Sequence, residues 1–366
     1  MSYQSIDNMQ KLLSETVFAH TESPKKAAGR ALGTFVEIIG FYLIKAWGHE
    51  YKAAIERPLS EYANKDIMHN VEFTFHRNRF LGSVNAPIGE SISSTKIYNA
   101  GNLPSGFVKS KSARTLLKNG VMKNACTIAF SDSEFCNAYF SPNKHEIFLY
   151  GLRNSPYAMI ECKRVGVEEG MKKGPQTIEK AKQGSYVART VSSVQRIRKY
   201  DGSVGAAIEQ NGRVIFFDDY NSVIEEAIFN GDSDLLVDFI LTIGIVSNHG
   251  NWFTSNNQNK EMRVLAQSYD WLLFLTDNGL ASFIQEIVCD DKFHIVKSAF
   301  ERSYEKGKKV NRFTKTNMDF EADTVLTHYF IENLPKIEKW FNVISPKERN
   351  ICTLNEMLKK LHNMEV

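Results

Sequence analysis

Two short, predominantly apolar runs constrain the fold of this chain most: Phe239-Ile-Leu-Thr-Ile-Gly-Ile-Val246 and Trp271-Leu-Leu-Phe-Leu-Thr276. Neither alternates apolar with polar positions, so each reads as a strand buried on both faces. A sheet of such strands needs helices on both sides. One is predicted from Asp277, whose acidic side chain suits a helix start. Another is predicted over Ala27–Trp47, where Leu32, Phe35, Val36, Ile39 and Leu43 recur at helical spacing. His69–His76 alternates like a strand, Gly212–Phe217 reads as a further strand, and the Ser-, Asn- and Gly-rich stretch 88–104 reads as a loop. The expected class is α/β: a central mixed β-sheet flanked by helices, with helical N- and C-terminal elaborations. No repeat, low-complexity tract or linker divides the 366 residues. The chain is therefore expected to be one elaborated domain, with a core over about 125–290, a helical segment at 1–60 and another at about 277–366.

The most informative chemistry lies in Tyr157-Ala-Met-Ile-Glu-Cys-Lys-Arg-Val-Gly166. As a strand, it points Glu161 and Lys163 to one face and Cys162 to the other. A carboxylate beside an ammonium at a strand end suits metal-assisted phosphodiester hydrolysis: the carboxylate holds Mg²⁺, and the lysine orients water or stabilises charge on phosphorus. Upstream, His145-Glu-Ile-Phe-Leu-Tyr150 is a second strand-like run, and Gly151-Leu-Arg-Asn-Ser-Pro156 between the two is rich in turn formers. The expectation is a hairpin that brings Glu146 to Glu161. Two carboxylates so placed repel unless a cation lies between them. Asp132 and Glu134, in the preceding segment, are the rivals of Glu146 as first acid.

These residues resemble the PD-(D/E)XK nuclease core shared by type II restriction endonucleases and several repair nucleases. In that pattern an acid opens one strand and (Asp/Glu)-x-Lys closes the next. Lys144-His145-Glu146-Ile147 stands where the family usually has Pro-Asp, with His for Pro and Glu for Asp; Glu161-Cys162-Lys163 supplies the second half. The resemblance covers residues 144–189. It implies a restriction-endonuclease-like core and a Mg²⁺ site formed by Glu146, Glu161 and the Cys162 backbone carbonyl, with Lys163 as the third catalytic group. It also implies accessory polar residues, for which Glu37 on the N-terminal helix and Gln176 and Glu179 after the catalytic strand are the candidates. The implied reaction is hydrolysis of double-stranded DNA leaving 5′-phosphates. A homodimer is expected on palindromic DNA, with a cognate DNA methyltransferase as functional partner.

Net charge is +3 and the isoelectric point about 8.4, which permits nucleic-acid binding without arguing for it. Local charge says more. Lys163 to Lys199 holds ten Lys/Arg against three Asp/Glu, and Lys109–Lys123 and Arg302–Lys315 are also basic. Lys172, Lys173, Lys180, Lys182 and Arg189 are expected to meet DNA, as are His249 and Asn251 in the polar cluster Ser247–Thr254. Five cysteines without a Cys-x-x-Cys suggest reduced thiols in a cytoplasmic protein, and zinc spacing is absent. The N-terminus lacks a signal-peptide pattern. The apolar stretches at 31–47 and 235–246 are interrupted by Glu37 and Asp238, so neither is expected to span a bilayer. No phosphate loop or Gly-x-Ser-x-Gly elbow is present. A site-specific endonuclease of a restriction system is the leading expectation. The alternatives are a structure-specific repair or recombination nuclease and a non-catalytic DNA-binding protein whose Glu146, Glu161 and Lys163 form a structural salt-bridged trio.

Overall fold

A computed structural model describes residues 6–58, 70–86, 91–111, 114–165, 192–248, 252–304 and 311–364. It is an α/β structure built on a nine-stranded mixed sheet flanked by helices. In chain order the strands are β1 (Ala53–Pro58), β2 (Asn70–Asn85), β3 (Val108–Lys109), β4 (Cys126–Phe130), β5 (Glu134–Phe140), β6 (Glu146–Arg164), β7 (Leu241–Ser247), β8 (Trp271–Leu275) and β9 (Phe341–Ser345). Their spatial order is β9-β8-β7-β6-β5-β4-β3, with β2 pairing both β6 and β1. β6, β7 and β8 run parallel, and every residue of β7 and β8 is buried, as the two apolar runs predict.

The longest strand corrects the sequence reading. Residues 146–164 are one strand of 19 residues, with no hairpin within it. Along one edge β6 pairs with β2 from Asn85↔Glu146 to Phe73↔Ile160. Along the other it pairs first with β5, from Phe140↔Ile147 to Glu134↔Arg153, and then with β7, from Leu241↔Ala158 to Ser247↔Arg164. The segment Gly151–Pro156, rich in turn formers, lies where β6 passes from one neighbour to the other. Arg153, Asn154 and Ser155 are exposed there, and the β2 register jumps from His76↔Pro156 to Asn78↔Leu152. Pro156 lacks an N–H, so an irregularity in the ladder suits it. The turn residues bend the strand without reversing it. The reversal lies at 141–145, between β5 and β6, where Lys144 takes a φ of 58°.

α1 (Ile6–Glu15) and α2 (Pro24–Ala46) precede the sheet, and Pro24 sits in the first turn of α2. Residues Ile38 to Lys45 of α2 are all buried. By length and composition α2 is long and apolar enough to cross a membrane, and 72% of its apolar window is buried within the protein. It packs on β6 and β7, and the fit depends on Gly40: a Cβ there would lie 2.9 Å from the Cys162 sulfur. One buried cluster gathers apolar residues from Ile6 to Leu361.

Three other expectations need correction. Residues 53–58 form strand β1 within the segment expected to be helical, and the expected loop at 88–104 contains a helix, Ser94–Ala100, capped by Ser93. The C-terminal segment is interrupted by two strands, Asn317–Asp319 and β9. Asn317–Asp319 joins Val121–Lys123, Thr115–Lys118 and Ile92–Ser93 in a separate four-stranded sheet. A three-stranded sheet is formed by Val194–Arg198, Val204–Gln210 and Arg213–Phe217.

His76 holds the bend in β6. Its Nδ1 lies 2.7 Å from the Arg153 carbonyl oxygen and its Nε2 2.7 Å from Thr74 Oγ1. Burial pushes its pKa from 6.5 down to about 3. The unfolded chain takes up this proton first, so stability is complete above pH 6.5 and falls as the pH drops toward 3. Denaturant melts at pH 7 and pH 5 should differ by about 2 kcal/mol through this group, and His76→Gln should remove that part of the difference.

Candidate functional site

β2 enters the sheet beside the point where β6 leaves it, so the first residues of one strand flank the last of the other. Glu72 is the third residue of β2. Alternation places Val71, Phe73 and Phe75 toward α2 and turns Glu72, Thr74 and His76 to the opposite face. On β6, Cys162 packs toward α2 against Gly40, while Glu161 and Lys163 share the other face, as the sequence predicts.

The Lys163 ammonium lies 2.6 Å from Glu72 Oε1 and 3.4 Å from Glu161 Oε2. The other Glu72 oxygen accepts the Cys162 backbone N–H at 2.5 Å. Glu72 and Glu161 are buried, with side chains 4% and 1% exposed. A second ammonium, from Lys315, lies 2.8 Å from Glu56 Oε1, 3.2 Å from Glu37 Oε2 and 3.6 Å from Glu72 Oε1. Four carboxylates thus share two ammonium groups. Burial opposes charge on both lysines, but Glu72 and Glu161 beside Lys163, and Glu72, Glu37 and Glu56 beside Lys315, outweigh it and hold both pKa values above the usual lysine range. Burial and the neighbouring Glu72 push the Glu37 carboxyl up to about 7, against the pull of Lys315. Glu56 is held at a φ of 57°, a left-handed conformation that costs a non-glycine residue about 1–2 kcal/mol.

Glu161, Lys163 and Glu37 are therefore brought together, but Glu146 is not. It opens β6, fifteen residues before Glu161. At about 3.3 Å per residue that is on the order of 50 Å of strand. Its Oε1 accepts the Ser83 hydroxyl at 2.8 Å. The rival acids are engaged elsewhere in the sheet. Glu134 pairs across the strands with Arg153 and binds the Arg79 guanidinium at 2.8 Å, while the Asp132 carbonyl accepts from the Asn154 side chain. Gln176, Glu179, Lys172, Lys173, Lys180, Lys182, Arg189, His249 and Asn251 lie outside the described residues.

Glu72, Glu56 and Lys315 escaped the sequence reading. Glu72 and Cys162 are 90 residues apart, so only the sheet order reveals the contact. Lys315 counted as part of a basic surface stretch, yet its side chain is 6% exposed. Two other members of that stretch, Arg302 and Arg312, pair with Asp319 at 3.2 and 3.4 Å.

No protein-family model, no curated protein and no solved structure matches this chain.

The contact between α2 and β6 fixes where Glu37 stands relative to Glu161. Gly40→Ala should destabilise the protein by about 1–3 kcal/mol through overpacking. In a Cys162→Ala background the same substitution should cost measurably less, because the sulfur it meets is gone. Chemical denaturation of the four proteins checks this coupling.

Proposed function

We propose that the protein is a divalent-metal-dependent nuclease working through Glu72, Glu161 and Lys163, with Glu37 beside them. The observation that carries the reading is the Lys163 ammonium between the Glu72 and Glu161 carboxylates, at the entry of one strand and the exit of its neighbour. An acid opening one strand and Glu-x-Lys closing the next is the pattern of the PD-(D/E)XK nucleases. Glu72 meets it in place of Glu146, because its strand is the neighbour of β6 in the sheet. The mixed sheet flanked by helices is compatible with such a core.

The donor set suits Mg²⁺, since Glu37, Glu72 and Glu161 offer hard carboxylate oxygens. Among the described residues no three His, Cys, Asp or Glu groups converge to hold one ion; ammonium groups stand between the carboxylates. Glu72, Glu161 and the Cys162 carbonyl would hold the metal, which would supply charge neutralisation at the phosphate and a more acidic water. Lys163, kept charged by its neighbours, serves to orient water and stabilise developing negative charge, a different task from that of a free base. Duplex DNA as substrate, 5′-phosphate products, action as a homodimer, and a restriction system with a partner methyltransferase follow from the family resemblance.

A second reading has an observation in its favour. Two lysines already partner the carboxylates, as a purely structural ion-pair cluster would require. Plasmid and phage DNA incubated with Mg²⁺ or EDTA separate the two. The nuclease reading expects Mg²⁺-dependent cleavage, with discrete bands for a restriction enzyme and a smear for a structure-specific one. Glu161→Gln and Lys163→Met should each lower the cleavage rate by about 100-fold or more. Glu146→Gln should leave it unchanged. Loss of stability in Glu161→Gln with no wild-type cleavage to lose would favour the structural cluster.

A further inference from the structure

We propose that Lys315 is a tethered counter-cation: its ammonium holds the carboxylate cluster assembled in the metal-free chain and gives up those oxygens when a divalent ion binds. The inference rests on the metal-dependent reading of the site and concerns a residue outside the Glu-x-Lys pattern.

The geometry is that of an occupied cation position. One ammonium lies within 3.6 Å of oxygens from three glutamates carried by three different elements: Glu37 on α2, Glu56 on β1 and Glu72 on β2. Without a positive charge between them these carboxylates would repel one another. Lys163 cannot serve all of them, because it is engaged with Glu72 and Glu161. Lys315 reaches the cluster from outside the main sheet, on the turn Thr314–Asn317. There Thr314 N–H donates to the Asn317 carbonyl, and Asn317 N–H to Thr314 Oγ1. Asn124 pins that turn, donating its backbone N–H to the Thr316 carbonyl and its side-chain amide to the Lys315 carbonyl, both at 2.9 Å. The main chain is thus fixed while the four-carbon stem can swing, as lysine permits and a rigid guanidinium fork does not. A divalent ion held by Glu72 and Glu161 and an ammonium 3.6 Å from the same Glu72 oxygen repel each other, so their occupancies are alternatives.

The test reads binding and stability, without turnover. Ca²⁺ and Mn²⁺ are titrated calorimetrically into the metal-free full-length protein, and thermal melts are recorded with and without each ion. Lys315→Met should melt lower than wild type without metal, recover on adding Ca²⁺, and bind Ca²⁺ at least about tenfold more tightly. Lys315→Arg keeps the charge and should bind no more tightly than wild type. Glu161→Gln should abolish binding in either background. A folded Lys315→Met with unchanged or weaker affinity, while Glu161→Gln still abolishes binding, overturns the role of Lys315 and leaves the metal site standing. Absence of any Glu161-dependent binding in all variants overturns both. If Lys315→Met does not fold, Lys315→Arg decides: tighter binding than wild type contradicts the inference, and equal or weaker binding supports it.

Discussion

A buried carboxylate shared between two ammonium groups holds this structure's polar centre together. One oxygen of Glu72 faces both Lys163 and Lys315, and the other takes the N–H of Cys162. Through these contacts β2, β6 and the turn at Thr314–Asn317 meet at one place. Removing one partner of such a group leaves an uncompensated buried charge, at a cost of about 3–5 kcal/mol. The arrangement therefore exists only because every member is present. A buried ion cluster adds little stability compared with apolar packing of the same volume. For that reason we propose a chemical role for the cluster in addition to a structural one.

β6 gives that cluster its setting. Its first half belongs with β5, and its second half with the parallel strands β7 and β8. Glu146 opens the first half, and Glu161 and Lys163 close the second. The bend between the halves is held by His76, through the Arg153 carbonyl. α2 covers the second half closely enough that residue 40 must lack a side chain. Glu37, one turn earlier on the same helix, reaches the cluster from that side.

Much of the framework is legible in the sequence. The buried strands β7 and β8 announce themselves by predominantly apolar runs, α2 by its spacing, and the Glu161–Lys163 face by strand alternation. The hairpin failed because Gly, Asn, Ser and Pro between two strand-like runs signal a local break in regularity, and a bend satisfies them as well as a reversal does. Which of the two forms depends on whether partners on both sides can pair the intervening backbone, and β2 and β5 do so here. The same limit hid Glu72. Within His69–His76 it is one polar position among several, and only the pairing of β2 with β6 sets it beside Lys163. Lys315 was hidden by charge counting, which treats each lysine in a basic stretch as solvated. Its neighbours in space are three glutamates from far upstream.

The central claim is that a cation site lies where β2 begins and β6 ends, and that Glu146 has no part in it. Anomalous diffraction from crystals soaked in Mn²⁺ tests it most directly. The account predicts a peak within ligating distance of the Glu72 and Glu161 carboxylates, about 2.0–2.2 Å from their oxygens. A map with no peak there, or one with its strongest peak beside Glu146, would contradict it.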